Sequence, residues 1–229
     1  MPSKSSPLPE WEAVLSSAAH LQRIFPDAVL VGGTASAIYA EHRFSADADH
    51  VLTDLRSRFD EVLAQLESVA GWKTARVQSP VQIRGSLDGI ETGVRQLIRD
   101  QPLETSRVQV GESVVTLPTP AEMLRIKAVL ILKRNATRDY LDFAALSKYL
   151  GDSGTVKALR TFDELYPQPN DASALQQLQI QLAEPLPYDL DSVELAEYKN
   201  VAPEWQSWKA VADFCQRAAI LIFEEIVGA

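Results

Sequence analysis

Val29 to Leu52 reads VLVGGTASAIYAEHRFSADADHVL: a short apolar run, two glycines, a helix of small residues, then two aspartates flanking one alanine. Val29, Leu30 and Val31 predict a short buried strand, and Gly32-Gly33 let the backbone turn sharply and approach a ligand without a Cβ in the way. A helix beginning near Thr34 would turn its first N–H groups and the positive end of its dipole toward that gap, which favours an anion such as a triphosphate. Thr34 and Ser36 add hydroxyls nearby. Thirteen residues separate Gly33 from Asp47, enough for two helical turns and a loop to a second strand beside the first. There Asp47 and Asp49, at i and i+2, face the same way with roughly 6.5–7 Å between Cα atoms. Carboxylates that close repel one another unless a cation sits between them. Mg²⁺ suits the position, since it takes a few carboxylates together with substrate phosphate oxygens. Alone, Gly-Gly is a turn and Asp-x-Asp a solvated loop; in this order, with apolar flanks, they predict a nucleotide and metal site.

The same residues carry a resemblance. Gly32-Gly33-Thr34 followed by Arg43-Phe44-Ser45-Ala46-Asp47-Ala48-Asp49 resembles the Gly-Gly-(Thr or Ser) … Arg-x-Ser-x-Asp-x-Asp pattern of the DNA polymerase β-like nucleotidyltransferases. It is most similar to the AbiEii-type toxins of type IV toxin–antitoxin systems. One departure is His50, which stands where that family carries a large apolar residue and makes the strand less apolar than expected. The resemblance implies an α+β fold, with a polymerase β-like mixed sheet flanked by helices over residues 1–118 and a helical region over 119–229 that completes the site.

Working outward, 229 residues with 46% hydrophobic content are ample for a core. No apolar run approaches the roughly 18 residues of a membrane span, and MPSKSSPLPEWE lacks the apolar core of a signal peptide, so a cytoplasmic protein without membrane contact is expected. Cys215 is the only cysteine, which excludes an intrachain disulfide and reads as a packed core residue. With three histidines, His20, His42 and His50, zinc ligation is not expected. A net charge of −9 argues against broad nonspecific nucleic-acid binding, so a polyanionic partner must meet a local basic patch. Arg125, Lys127, Lys133, Arg134 and Arg138 form one such patch within fourteen residues, unless they are a solvated helix face.

Residues 1–9 are rich in proline and serine and read as frayed. Trp11, Val14, Leu15, Ala18 and Leu21 predict an amphipathic helix over 10–24, and Phe59, Val62, Leu63 and Leu66 a second one before Gly71. From Trp72 to Leu117 short alternating runs broken by Gly and Pro predict strands, with hairpin turns at Asp88-Gly89 and Gly111-Glu112. Thr119-Pro120-Ala121-Glu122 is a capping box that opens a helix to about Arg134. A further helix runs from Thr137 to Leu150, and others follow near 156–165, 172–182 and 203–227.

Polymerase β-like transferases take a third carboxylate from a neighbouring strand, to bridge a metal or act as base toward the attacking hydroxyl. Glu91 is the candidate, with Gly93 on the same face leaving room for a ligand; Asp88 is second, being better explained by its turn. Lys127 falls among aliphatic residues of its helix, and a desolvated ammonium needs an anion unless it snorkels to solvent. By position, the resemblance places the family's nucleotide-binding lysine on Lys127 and its Arg-Asp-x-x-Asp on Arg138, Asp139 and Asp142. Asp139 or Asp142 would then orient Lys127 or a phosphate-binding arginine, or pair on a surface.

Together these imply transfer of a nucleoside monophosphate from an NTP to a hydroxyl. Asp47 and Asp49 would hold Mg²⁺; Gly32, Gly33, Thr34 and Ser45 would contact phosphate oxygens; Glu91 would be the base; and Lys127 would offset developing phosphate charge, with Arg43, Arg138, Asp139 and Asp142 supporting. The resemblance implies RNA, especially a tRNA 3′ end, or a protein as acceptor, and an antitoxin as cognate partner. Alternatives are a small-molecule acceptor, as in antibiotic nucleotidyltransferases, and a non-catalytic nucleotide-binding regulatory module.

Overall fold

A computed structural model describes residues 10–228; the reading of residues 1–9 as frayed lies outside the described residues. Among the described residues the chain forms two compact units, one of residues 10–34, 45–100 and 105–117, the other of 35–44, 101–104 and 118–228. The long continuous part of the second begins at Pro118, and it also takes in residues 35–44 and 101–104 from earlier in the chain.

The first unit is built on a five-stranded mixed sheet in the order β1-β2-β5-β4-β3. Its strands are β1 (Val29–Leu30), β2 (Ala48–Leu52), β3 (Trp72–Gln78), β4 (Gln82–Leu87) and β5 (Ile90–Gln96). Only β2 and β5 run parallel. Alternation gives the sheet two different faces. Leu52, Val94, Ile83 and Leu87 are buried on one of them with Leu21 of α1 (Trp11–Ile24), with Phe25 just after that helix and with Phe59, Val62 and Leu66 of α3 (Phe59–Glu67). Asp49, Glu91, Arg84 and Arg76 stand on the other. A second small sheet pairs β6 (Thr105–Val110) with β7 (Ser113–Pro118). Gln22 of α1 fastens β7, its amide donating to the Thr116 carbonyl and accepting from the Thr116 N–H, both at 2.7 Å.

The helix α2 (Gly32–Ala40) begins at the glycines themselves, two residues before the expected start, because Gly32 at φ 79° makes the turn that opens it.

The second unit is helical, with α4 (Pro120–Arg134), α5 (Thr137–Leu159), α6 (Phe162–Leu165), α7 (Ala174–Ala183) and α8 (Trp208–Ile222). Gly151, at φ 68° and ψ 173°, breaks α5 where the sequence predicts a helix end. The capping box at α4 is half as expected: the Thr119 hydroxyl accepts from the Glu122 N–H, but Thr119 N–H donates to the Glu104 carbonyl. Glu122 instead accepts from Arg125 at 3.0 Å. Tyr140 packs edge-on against Trp208, tying α5 to α8. On α8 the buried stripe is Val211, Cys215, Ala218, Ala219 and Ile222.

Candidate active site

Val31 N–H donates to the Asp49 carbonyl at 2.8 Å, so the chain reaches Gly32 while still fastened to β2. Gly32 lies directly beside the Asp49 side chain: a Cβ there would stand 3.8 Å from the Asp49 Cβ and 3.9 Å from its Oδ2. The start of α2 and the second aspartate of Asp-x-Asp therefore adjoin. Thr34 ties them further, but through the backbone. Its hydroxyl donates to the Asp47 carbonyl, so this side chain holds the α2 start to the Asp-x-Asp segment. Ser45 is buried just ahead of it.

Asp47, Asp49 and Glu91 line one cavity of about 370 Å³. Register explains the convergence. Asp49 pairs with Gly93 across the parallel β2–β5 ladder and Ala48 with Thr92, which puts Glu91 on the Asp47/Asp49 face. Asp88, the second candidate, is in its turn at φ 54° and accepts from His20 Nδ1 at 2.8 Å. The room above Gly93 is filled differently from the sequence expectation. A Cβ there would come 2.7 Å from the Ile83 carbonyl and 3.5 Å from Arg84 Cγ, so this glycine admits the neighbouring strand and the Arg84 stem, not a ligand.

The cavity also holds cations that sequence reading missed. Lys73, Arg76 and Arg84 line it opposite the carboxylates, and Arg95 Nη2 lies 3.4 Å from Asp49 Oδ2. On strands these residues look like ordinary solvated charges; only cross-strand register shows that they face Asp49 and Glu91. Among the described residues no three of His, Cys, Asp and Glu stand together as a ready metal cage. Two carboxylates facing an anion-sized gap nevertheless suit Mg²⁺, which draws its remaining ligands from substrate phosphates and water.

His50, on the opposite face of β2, is fully buried. Burial lowers its pKa to about 4 against the opposing hydrogen bond to the Ala48 carbonyl and the charge of Asp49, so the ring is neutral at pH 7.

The second unit contains its own buried polar cluster. Asp142 receives Lys127 Nζ at 2.7 Å, Arg43 Nε at 2.7 Å and Nη2 at 3.0 Å, and His42 Nε2 at 2.7 Å. Burial alone would raise the Asp142 pKa; the charges of Arg43 and Lys127 and the His42 hydrogen bond outweigh it and hold the carboxyl well below the usual range. His42 is lowered by burial, opposed by Asp142. Lys127 is 1% exposed, and the anion its burial demands is Asp142. Asp139 takes Arg134 through both oxygens, with Lys127 at 4.0 Å. Arg138 is exposed. The segment carrying His42 and Arg43 is clamped by the C-terminal region: Phe44 N–H donates to the Lys199 carbonyl, Ala202 N–H to the His42 carbonyl, and Arg43 stacks over Tyr198.

The architecture has counterparts among solved structures. A candidate nucleotidyltransferase from H. pylori superposes with a TM-score of 0.55 at 15% identity, covering 95% of each chain. ANT(2″)-Ia, solved in complex with adenylyl-2″-tobramycin, gives 0.50 at 9% identity over 67% of this chain and 97% of that one. At such identities the likeness is one of fold. In sequence, MmpL11 of Mycolicibacterium smegmatis, a mycolic acid-containing lipids exporter, is 29% identical over 180 residues, covering 77% of this chain and 16% of the exporter. The heme uptake protein MmpL11 of Mycobacterium tuberculosis H37Rv is 28% identical over 243 aligned residues, covering 96% of this chain and 23% of that protein. The chain thus spans less than a quarter of the curated relatives it matches, and among the described residues no helix is long and apolar enough to cross a membrane. The sequence model of the nucleotidyl transferase AbiEii toxin of type IV toxin–antitoxin systems matches residues 14–221, nearly the whole chain, and the chain belongs to that nucleotidyltransferase family.

Proposed function

We propose that this chain transfers a nucleoside monophosphate from an NTP to a hydroxyl acceptor, as the toxin of a type IV pair whose partner is a cognate antitoxin. The observation that carries the reading is the meeting of Asp47, Asp49 and Glu91 in one cavity, with Asp49 adjoining the α2 start at Gly32. Gly32, Gly33 and the first turn of α2 seat the β- and γ-phosphates by backbone N–H groups and helix dipole. Thr34 and Ser45 shape that seat, Thr34 by fixing the Asp47 backbone. Asp47 and Asp49 would hold Mg²⁺, which when bound neutralises phosphate charge and orients the leaving group. Glu91 accepts the proton of the acceptor hydroxyl. That oxygen forms a bond to the α-phosphorus as the bond to the bridging oxygen of the β-phosphate breaks, and pyrophosphate departs. Asp142 acts as a positioning residue that holds Arg43, with Lys127 on the same carboxylate; Asp139 holds Arg134, and Arg138 stands exposed beside it. The acceptor is RNA, such as a tRNA 3′ end, or a protein.

Incubation with each α-labelled NTP, Mg²⁺ and total RNA or lysate tests the reading. Wild type transfers label, and Asp47→Ala and Asp49→Ala each reduce transfer at least about a hundredfold, the scale of removing one charge-stabilising group. Label retained by both variants refutes the assignment of the metal carboxylates. Binding of NTP without Mg²⁺ and without turnover would point instead to a regulatory module.

A further inference from the structure

Across the polar face of the sheet, charge is sorted by strand. The carboxylates Asp47, Asp49 and Glu91 belong to β2, its preceding residue and β5; the cations Arg84, Lys73 and Arg76 belong to β4 and β3. The ladders align them in two rows, Asp49–Gly93–Arg84–Arg76 and Glu91–Ser86–Lys73. With strands about 4.8 Å apart, the backbones carrying Arg84 and Arg76 stand about 10 and 15 Å from that of Asp49. Among the described residues none of Lys73, Arg76 and Arg84 has an ion-pair partner, whereas Arg95 is drawn to Asp49. Three uncompensated cations in a chain of net charge −9 form a local seat for an anion.

Two anions compete for that seat, the triphosphate and the acceptor, and the geometry of displacement separates them. Attacking oxygen, phosphorus and departing oxygen lie roughly in line. A triphosphate seated at the α2 start sends its pyrophosphate toward the β1 side of Asp49. The acceptor then arrives from the opposite side, over Glu91, and its remaining groups extend across β4 and β3. Resting on the nucleotidyl-transfer reading, we infer that the β3–β4 hairpin is the acceptor platform, on which Lys73, Arg76 and Arg84 hold phosphate groups of the acceptor next to its reacting hydroxyl. The same three charges repel a polycationic acceptor such as an aminoglycoside. The phosphates come from a nucleotide strand or from a small phosphorylated molecule.

The test uses the full chain as wild type, as the exposed-residue double variant Lys73→Gln/Arg76→Gln and as Arg84→Gln. Each is titrated with a fluorescein-labelled single-stranded oligoribonucleotide by anisotropy at several salt concentrations, and with NTP plus Mg²⁺ by calorimetry. The double variant is expected to bind the oligonucleotide at least about five-fold more weakly, with the slope of log K against log salt reduced by about 0.7 for each phosphate that a cation no longer neutralises. NTP affinity is expected to move by less than about two-fold, because the triphosphate sits on the other side of Glu91. A sugar phosphate that displaces the oligonucleotide assigns the platform to a small phosphorylated acceptor; failure to displace assigns it to a strand. The inference is overturned if wild type binds neither phosphate probe, or if NTP affinity falls as far as oligonucleotide affinity. A chain that adenylates an aminoglycoside equally fast with and without the cations overturns it while leaving nucleotidyl transfer intact. A chain that binds the strand through the cations yet transfers nothing overturns the transfer reading instead.

Discussion

His50 sits between Asp49 and Val51 on β2 with its ring in the apolar layer, and burial holds its pKa near 4 against an ordinary value of 6.5. The unfolded chain therefore binds a proton that the folded chain refuses between those two values. The contribution of His50 to stability is constant above pH 6.5 and falls as pH drops through the window, by about 3 kcal/mol once pH is below 4. Urea titrations from pH 7 to 4 on wild type and His50→Leu check this. The carboxylates and the buried His42 contribute to both proteins, so the difference between the two curves isolates His50. A difference that does not change with pH removes His50 from the account. At the same scale lies the hardest feature to read from sequence. Asp142 and Arg43 are 99 positions apart, and nothing in composition or periodicity pairs them. Lys127 is legible as a buried ammonium in need of an anion, because its neighbours on the helix are aliphatic; which carboxylate answers it depends on how α4 meets α5.

Among the elements, the β3–β4–β5 meander is where register does most for the site. Its hairpin turns and alternation are written in the sequence, since Asp88-Gly89 and the Ile83/Gly85/Leu87 spacing carry local signals. Its cross-strand partners are not, because the bulge between Thr74 and Arg76 resets the pairing and brings Arg76 opposite Arg84. Gly93 is the hinge of that arrangement. Gly93→Ala would drive a methyl against the Ile83 backbone, where no side-chain rotation relieves it, and is expected to cost about 1–3 kcal/mol. The midpoint of urea unfolding measures the destabilisation. An unchanged midpoint means that β4 shifts freely, and Arg84 is then not held over the cavity by this contact.

For the molecule as a whole, each unit has its own stabilising logic. The first buries an apolar sheet face under α1 and α3 and leaves the other face charged; the second buries charge outright, in the Asp142 cluster. Asp142→Asn keeps the shape but leaves Lys127 and Arg43 without their full counter-charge, and a broken buried pair costs about 3–5 kcal/mol. Urea unfolding followed by Trp fluorescence is expected to show that cost, and a variant within about 0.5 kcal/mol of wild type would mean that water or neighbouring groups compensate the two cations. One earlier feature gives such measurements a second readout. Cys215, the single thiol, is fully buried on α8, and burial pushes its pKa up. A small thiol reagent can reach it only when α8 lifts from its neighbours. The chain thus carries an internal clock for that opening: its labelling rate, extrapolated to high reagent, times the departure of one helix without any added probe.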